Sequence, residues 1–398
     1  MGGEHPEWLR RHEVTRGHVL PWLVAHAPLE GRTVLEYGCG QGAVTCALAP
    51  HAGRYLGFDI DPMEVEAARR HVASRGLAHV DLTCDSAADL EDRIGALTEP
   101  VDVFLLYAVL EHMTVGERLA VLRLARRIVA PTGHIVVVES PNRLTPIDHH
   151  TGRLPFLHSV PDELALDLYK RSPRPEFVAA IDRAGEVGGE PARRMALARW
   201  GRGVSFHEFE VVFGDLAAHT VASSFDGNLY PIRPVRGEEL QLAATLEAWR
   251  PDLAPSWSRT WIDVILSAAP SQLVTHVRPW ALRLPHDVSG AAVLADGRVE
   301  LRPGAWLPVE LPAPTAELHV GLMAEEPADA LRVRVRGEVS APVARDNRDG
   351  VPPWHAVHYL HSPASRIDLS LAAGGCLTYV GYRGAPDPEA PMRRPMGW

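Results

Sequence analysis

The chain has 398 residues, 46% of them apolar and 23% charged, an ordinary globular balance with length enough for two domains. A formal net charge of -10 argues against general nucleic-acid binding, and no apolar run reaches the roughly 18 residues that a membrane span needs. The opening "MGGEHPEWLRRHEV" has no apolar signal core, and the four cysteines at 39, 46, 84 and 376 show no C-x-x-C spacing. A cytoplasmic protein without a disulfide framework or zinc knuckle is therefore expected.

Residues 6 to 27 carry an apolar face of Trp8, Leu9, Val19, Leu20, Trp22 and Leu23 and predict one or two helices. From residue 33, strand and helix alternate. "TVLEY" leads into a helix ending at Pro50, and "RYLGF" leads into "DPMEVEAARRHVAS", where Asp61, Pro62 and Glu64 make a capping-box arrangement. "HVDLTC" precedes a short helix, "VDVFLLYAV" precedes "VGERLAVLRLARRIVA", and "HIVVVES" closes the series. This alternation predicts a doubly wound α/β architecture, a parallel sheet covered on both faces.

Past Pro141 the rhythm breaks. Helices near 162–171 and 191–200 predict a helical cap inserted over about 141–203, placed to lid the carboxyl edge of the sheet. "SFHEFEVVFG" reads as a helix with Ser205 as N-cap and Glu208 three residues on. "HTVASSF" and "WIDVILSA" read as closing strands around a helix at about 237–249, so that a first domain covers 1–268. Short β runs then follow, among them "AELHVGLM", "LRVRVRG", "HAVHYLH" and "CLTYVGYRG", with Asp296-Gly297 as a hairpin turn. They predict a separate all-β sandwich over 275–398.

The chemistry concentrates in "VLEYGCGQGAVTCALA", residues 34–49, where Gly38, Gly40 and Gly42 follow Glu36. Glycine at this density implies positive φ angles or a ligand pressed on the backbone. A dinucleotide fingerprint is met by Gly38, Gly40 and Ala43, with Asp59 about 20 residues on. The alternative pattern, E/D-x-G-x-G-x-G, is met in full by "EYGCGQG". Glu36 repels a pyrophosphate but suits a ligand that carries an ammonium and a sulfonium, which favours S-adenosylmethionine.

With these motifs the chain resembles the class I S-adenosylmethionine-dependent methyltransferases, strongly over residues 30–140 and loosely over 141–268. The resemblance implies a seven-stranded Rossmann-like sheet. It implies that Asp59 in "GFDIDP" holds both ribose hydroxyls and that Asp85 in "CDSAADL" meets the adenine amino group. Tyr37, Ile60, Ser86 and Tyr107 stand at or beside these motif positions and complete the expected cofactor-binding set. "YAVLEHM" and "SPNR" match the family segments after the fourth strand and in the fifth.

"LEH" further resembles the ubiquinone-pathway O-methyltransferases and the small-RNA 2′-O-methyltransferases. There, E-x-x-E-H contributes to a divalent metal site, and the RNA enzymes add a histidine from beyond the fifth strand. Glu111 and His112 match the second Glu and the His, while Ala108 occupies the first Glu position. Two possibilities stay open. Either "PIDHHTGRLPF" supplies a replacement, with His149 joining Glu111 and His112 as metal ligands, or no metal is present and His112, His149 or His150 acts as a base.

Methyl transfer from a sulfonium is an in-line displacement in which the protein mainly aligns two reactants and excludes water. A base is needed only for an acceptor that carries a proton. The reading at this stage is O-methylation of a small or medium-sized metabolite. Methyl esterification of a carboxylate on a peptide or specialised metabolite, and nucleoside sensing without catalysis, are the alternatives. Asp61 is expected to be a helix cap only, Asp102 a structural acid, Cys39 a small filler and His207 structural. The β domain shows no catalytic constellation, and a homodimer is left open.

Overall fold

Thr33–Tyr37 (β1) is buried along its whole length, as a strand covered on both faces must be. It belongs to a computed structural model that describes residues 5–85, 93, 100–226, 229, 235–271, 276, 278–280, 288–289, 291–294, 298–323, 331–340, 344–346, 354–372 and 374–384. The chain divides into two compact units, Met1–Val274 and Thr275–Trp398.

In the first unit β1 is joined by Arg54–Asp59 (β2), Val80–Cys84 (β3), Val101–Tyr107 (β4), Val129–Pro141 (β5), Thr220–Ser223 (β6) and Trp261–Ser267 (β7). The order is β3-β2-β1-β4-β5-β7-β6, with β1 to β5 parallel and β7 antiparallel to both of its neighbours. The direction of winding reverses between β1 and β4, so the crevice for a ligand opens beyond the carboxyl ends of those strands.

The helices follow from local chemistry. Asp61 caps Pro62–Ser74 by accepting the N–H groups of Met63 (2.8 Å) and Glu64 (3.4 Å). Thr114 and Glu117 form a capping box on Val115–Ile128. At Phe206–Phe213 the expected capping bond is not made: Ser205 is the N-cap, but Glu208 turns inward to the buried guanidinium of Arg118. A full charge in the core has a stronger claim on a carboxylate than a backbone N–H at a helix end.

The cap differs from expectation in length. One helix, Pro175–Trp200, replaces the short one expected near 191–200, with a break at Gly189 (φ 67°). Phe177, Ile181 and Leu197 on this helix pack with Leu157, Ala165, Leu166 and Tyr169 into a small core of their own. The short helix expected after β3 lies outside the described residues.

The second unit is an antiparallel sheet. Nine described strands run in one continuous hydrogen-bonded set, with two long strands, Leu307–Met323 and Trp354–Leu371, pairing at its centre. Register shifts after Glu310 and Thr315 bend the first of these. Alternate residues (Leu307, Val309, Leu318, Val320, Leu322) face one buried cluster with Leu331, Val333, Ile367 and Leu369. The Asp296-Gly297 turn lies outside the described residues, although Ala291–Val293 and Val299–Leu301 on either side of it pair antiparallel.

Candidate active site

The glycine loop closes the carboxyl end of β1. Gly38 adopts φ 87°, and a Cβ there would stand 2.6 Å from Val109 Cγ2. Gly42, at φ 79°, starts the helix Ala43–Leu48 where a Cβ would stand 3.0 Å from that of Ala68. The N–H groups of Gly38 and Cys39 both donate to Phe58 O, at 2.7 and 2.8 Å. Gly40 N–H donates to Asp59 Oδ2 at 2.8 Å, and Asp61 N–H donates to Asp59 Oδ1 at 3.0 Å. Asp59 is thus locked to the loop.

A cavity of about 940 Å³ opens against this loop, within the size range of small-ligand sites. Glu36, Tyr37, Gly38, Gly40, Asp59, Ile60 and Tyr107 line it. Glu36 is buried, and its Oε2 accepts from Thr45 Oγ1 (2.5 Å) and from the Tyr55 hydroxyl (2.8 Å). Burial raises its carboxyl to about 7, against the opposing pull of those two hydroxyls. Asp85 stands apart from the described lining residues, with its carboxylate ion-paired to Arg93 at 2.9 Å. Ser86 lies outside the described residues. Cys39 is buried, and burial pushes its thiol up, so it is a filler rather than a nucleophile. Asp102 is structural, accepting from Arg32 and from the Thr33 N–H, each at 2.9 Å.

A second cluster is built around Glu111, which is fully buried in the turn Leu110–His112. Neither of its carboxyl oxygens has a hydrogen-bond partner among the described residues, and burial raises its carboxyl to about 8. His112 Nε2 lies 3.8 Å and His150 Nε2 4.0 Å from Glu111 Oε1. The other ring nitrogens settle the tautomers. His112 Nδ1 faces the carbonyl of Arg199 at 2.8 Å and so carries the hydrogen. His150 Nδ1 faces Thr151 Oγ1 at 3.1 Å, whose own hydrogen goes to Gly201 O. Both Nε2 atoms therefore present lone pairs toward Glu111. Burial lowers both rings, His150 to about 4, which keeps them neutral near pH 7.

Glu111, His112 and His150 form a set whose ligand atoms all lie within 4.8 Å of one another. The set expected from sequence had His149 in the third place. The structure puts His149 elsewhere, with Nε2 3.4 Å from Glu238 Oε1, and brings its neighbour inward. His207 bonds Ser205 and stays outside the described cavity lining.

Several cavity residues carry no motif. Trp8 reads in sequence only as part of an apolar face, yet its Nε1–H donates to Gln41 O in the glycine loop at 3.0 Å. Arg11 lies over the Tyr107 ring (5.3 Å) and pairs with Glu139 at 3.4 Å. Arg199, at the end of the long cap helix, donates to Glu117 at 2.6 and 2.9 Å and to His112 O at 2.8 Å. Arg199 holds the Glu117 carboxyl down to about 2. No local spacing marks these contacts, because each joins segments far apart in the chain.

Residues 34–133 match a family model described as a methyltransferase domain. A ubiquinone biosynthesis O-methyltransferase of Neisseria meningitidis serogroup C (strain 053442) is 29% identical over 117 residues, 29% of this chain and 47% of that protein. A probable S-adenosylmethionine-dependent methyltransferase of Mycolicibacterium smegmatis is 33% identical over 142 residues, 36% of this chain and 48% of that protein. Among solved structures, magnesium protoporphyrin IX methyltransferase from Synechocystis PCC 6803 with bound SAM is 23% identical. That alignment covers 36% of this chain and 67% of the other, with a TM-score of 0.28. The chain spans about half the length of the curated relatives it matches. Together, the family match, the glycine loop and the strand order identify a class I S-adenosylmethionine-dependent methyltransferase domain in this chain.

Proposed function

We propose that the chain transfers the methyl group of S-adenosylmethionine to an oxygen of a small or medium-sized metabolite. The observation that carries this reading is the neutral, acceptor-rich cluster of Glu111, His112 and His150, which adjoins the donor cavity through His112. Glu36 suits the ammonium and sulfonium of the donor, and Asp59, fixed by Gly40, suits its ribose hydroxyls. In the transfer a carbon–sulfur bond breaks as a carbon–oxygen bond forms, and the hydroxyl proton passes to the Nε2 lone pair of His112. Trp8 and Arg11 from the first helix and Arg199 from the cap narrow the cavity and help to exclude water.

The same donors fit a divalent cation. A buried carboxyl group whose two oxygens have no hydrogen-bond partner among the described residues, faced by two imidazole lone pairs, becomes a three-ligand donor set when a cation displaces its proton. A cation held by Glu111, His112 and His150 would supply Lewis-acid polarisation of the acceptor oxygen.

The test is incubation of the full chain with labelled S-adenosylmethionine and a metabolite extract, with and without chelator, followed by mass spectrometry. Label appearing in oxygen-linked methyl products supports the reading. Loss of that label with chelator, restored by divalent ion, assigns the cation. Tight donor binding with no labelled product would leave nucleoside sensing as the function instead.

A further inference from the structure

His149 and His150 are consecutive, yet only His150 reaches Glu111. Asp148 makes the difference. Its carboxylate, 1% exposed, accepts the N–H groups of His150 (3.0 Å), Thr151 (2.7 Å) and Gly152 (2.5 Å). This is a turn built on an aspartate side chain, and it sends successive residues to opposite sides. The same carboxylate lies 2.7 Å from Nε2 of His158, itself buried. His158 Nδ1 accepts the N–H of Gly203 at 2.9 Å, so its hydrogen sits on Nε2, the nitrogen nearer to Asp148.

Gly203 belongs to the segment that ends the long cap helix. Two residues earlier, Gly201 O takes the hydroxyl hydrogen of Thr151, whose oxygen accepts His150 Nδ1–H. Arg202 N–H donates to Glu111 O at 2.8 Å. One short strap therefore touches Glu111, the His150 turn and His158.

A turn at the surface needs only the aspartate. Here the carboxylate is buried and lies against an imidazole, 2.7 Å from its Nε2, that is anchored in turn to the strap. Outer carboxylate–histidine contacts of this kind orient the ligands they back. We propose that Asp148 and His158 are positioning residues, a buried carboxylate–imidazole pair that fixes the ring orientation and tautomer of His150 so that its Nε2 lone pair faces Glu111. The proposal rests on the reading of Glu111, His112 and His150 as the acceptor-side cluster.

The test uses the full chain with ¹⁵N-labelled histidines. His150 is assigned by the signal lost in His150→Ala, and long-range proton–nitrogen spectra read its tautomer. The parent protein is expected to show the Nδ1–H form. Asp148→Asn, nearly isosteric, should move His150 into tautomer exchange while S-adenosylmethionine affinity stays unchanged. Co²⁺, followed by its d–d absorption, is the second probe, and Asp148→Asn should weaken its binding about 10- to 100-fold. His158→Gln, which keeps a polar N–H beside Asp148, should retain both properties, and His158→Leu should lose both. An unaltered His150 tautomer together with unaltered Co²⁺ affinity in Asp148→Asn and His158→Leu overturns the proposal. If the parent takes up no Co²⁺, the cation reading fails by itself, and the tautomer shift alone decides whether Asp148 and His158 position the ring.

Discussion

The two sides of the cavity are built by opposite means. The glycine-loop side comes from one short stretch, β1 through the start of the helix after β2, and its key bonds are donated by backbone N–H groups: Gly38 and Cys39 to Phe58 O, Gly40 to the Asp59 carboxylate. The Glu111 cluster, which adjoins the cavity through His112, gathers three distant segments, the turn after β4, the loop after β5 and the segment that follows the cap helix. Buried side chains hold them. Arg118 donates to Leu110 O, Gly203 O and Arg202 O and pairs with Glu208 at 3.2 Å. A backbone-built site tolerates side-chain change around it, whereas a site held by buried charges fails when one member is removed.

The sharpest way to separate the two sides is His112→Ala. For a hydroxyl acceptor, turnover should fall by about 10²- to 10⁴-fold with donor affinity intact. Calorimetry and initial rates on one preparation check this, and a parallel loss of donor binding would show that the sides are not independent. The converse substitution is Asp59→Ala. Each charge-assisted bond lost to the ribose should cost roughly 1.5 to 3 kcal/mol of donor affinity. Donor affinity equal to that of the parent would break the assignment of Asp59 to the donor side.

The smallest effect is in pH. Glu36 has its carboxyl raised to about 7, so in the folded chain it is protonated below that pH and ionised above it. A cationic donor prefers the ionised form, and affinity should rise up to about tenfold from pH 6 to pH 8. The sign for stability is opposite. The folded state binds the extra proton between the ordinary glutamate value near 4.3 and about 7, so this group's contribution to stability falls as pH rises through that window. Glu36→Gln should flatten both dependences. A donor affinity that stays level with pH in the parent would remove Glu36 from the binding chemistry.

The same contrast governs what could be read from sequence. The strand series, the glycine loop and the Asp61 cap were legible because each depends on residues a few positions apart. Which histidine would turn inward was not, since His149 and His150 differ only in how Asp148 folds the loop. Glu208 matched a capping box by spacing, and only the position of Arg118, 90 residues earlier in the chain, diverts it. The first half of the long cap helix was hidden by "GGEP", where the glycines and proline read as a loop but cause one break in a helix that continues. Asp85 fits its motif, yet its carboxylate pairs with Arg93, a partner that no motif marks.

β5 and β7 are neighbours in the sheet, paired from His134 and Ser267 to Pro141 and Trp261 with a register shift between Val137 and Ser140, yet the whole cap, β6 and, among the described residues, three further α-helices are threaded between them. Closing a loop costs entropy that grows only with the logarithm of its length, about 0.6 kcal/mol for each doubling. The sheet is therefore nearly indifferent to how much chain is spliced in at Pro141. Chain inserted there can change in length with little cost to the sheet, so the cap is the part of this unit free to vary while the strands that carry the glycine loop stay as they are.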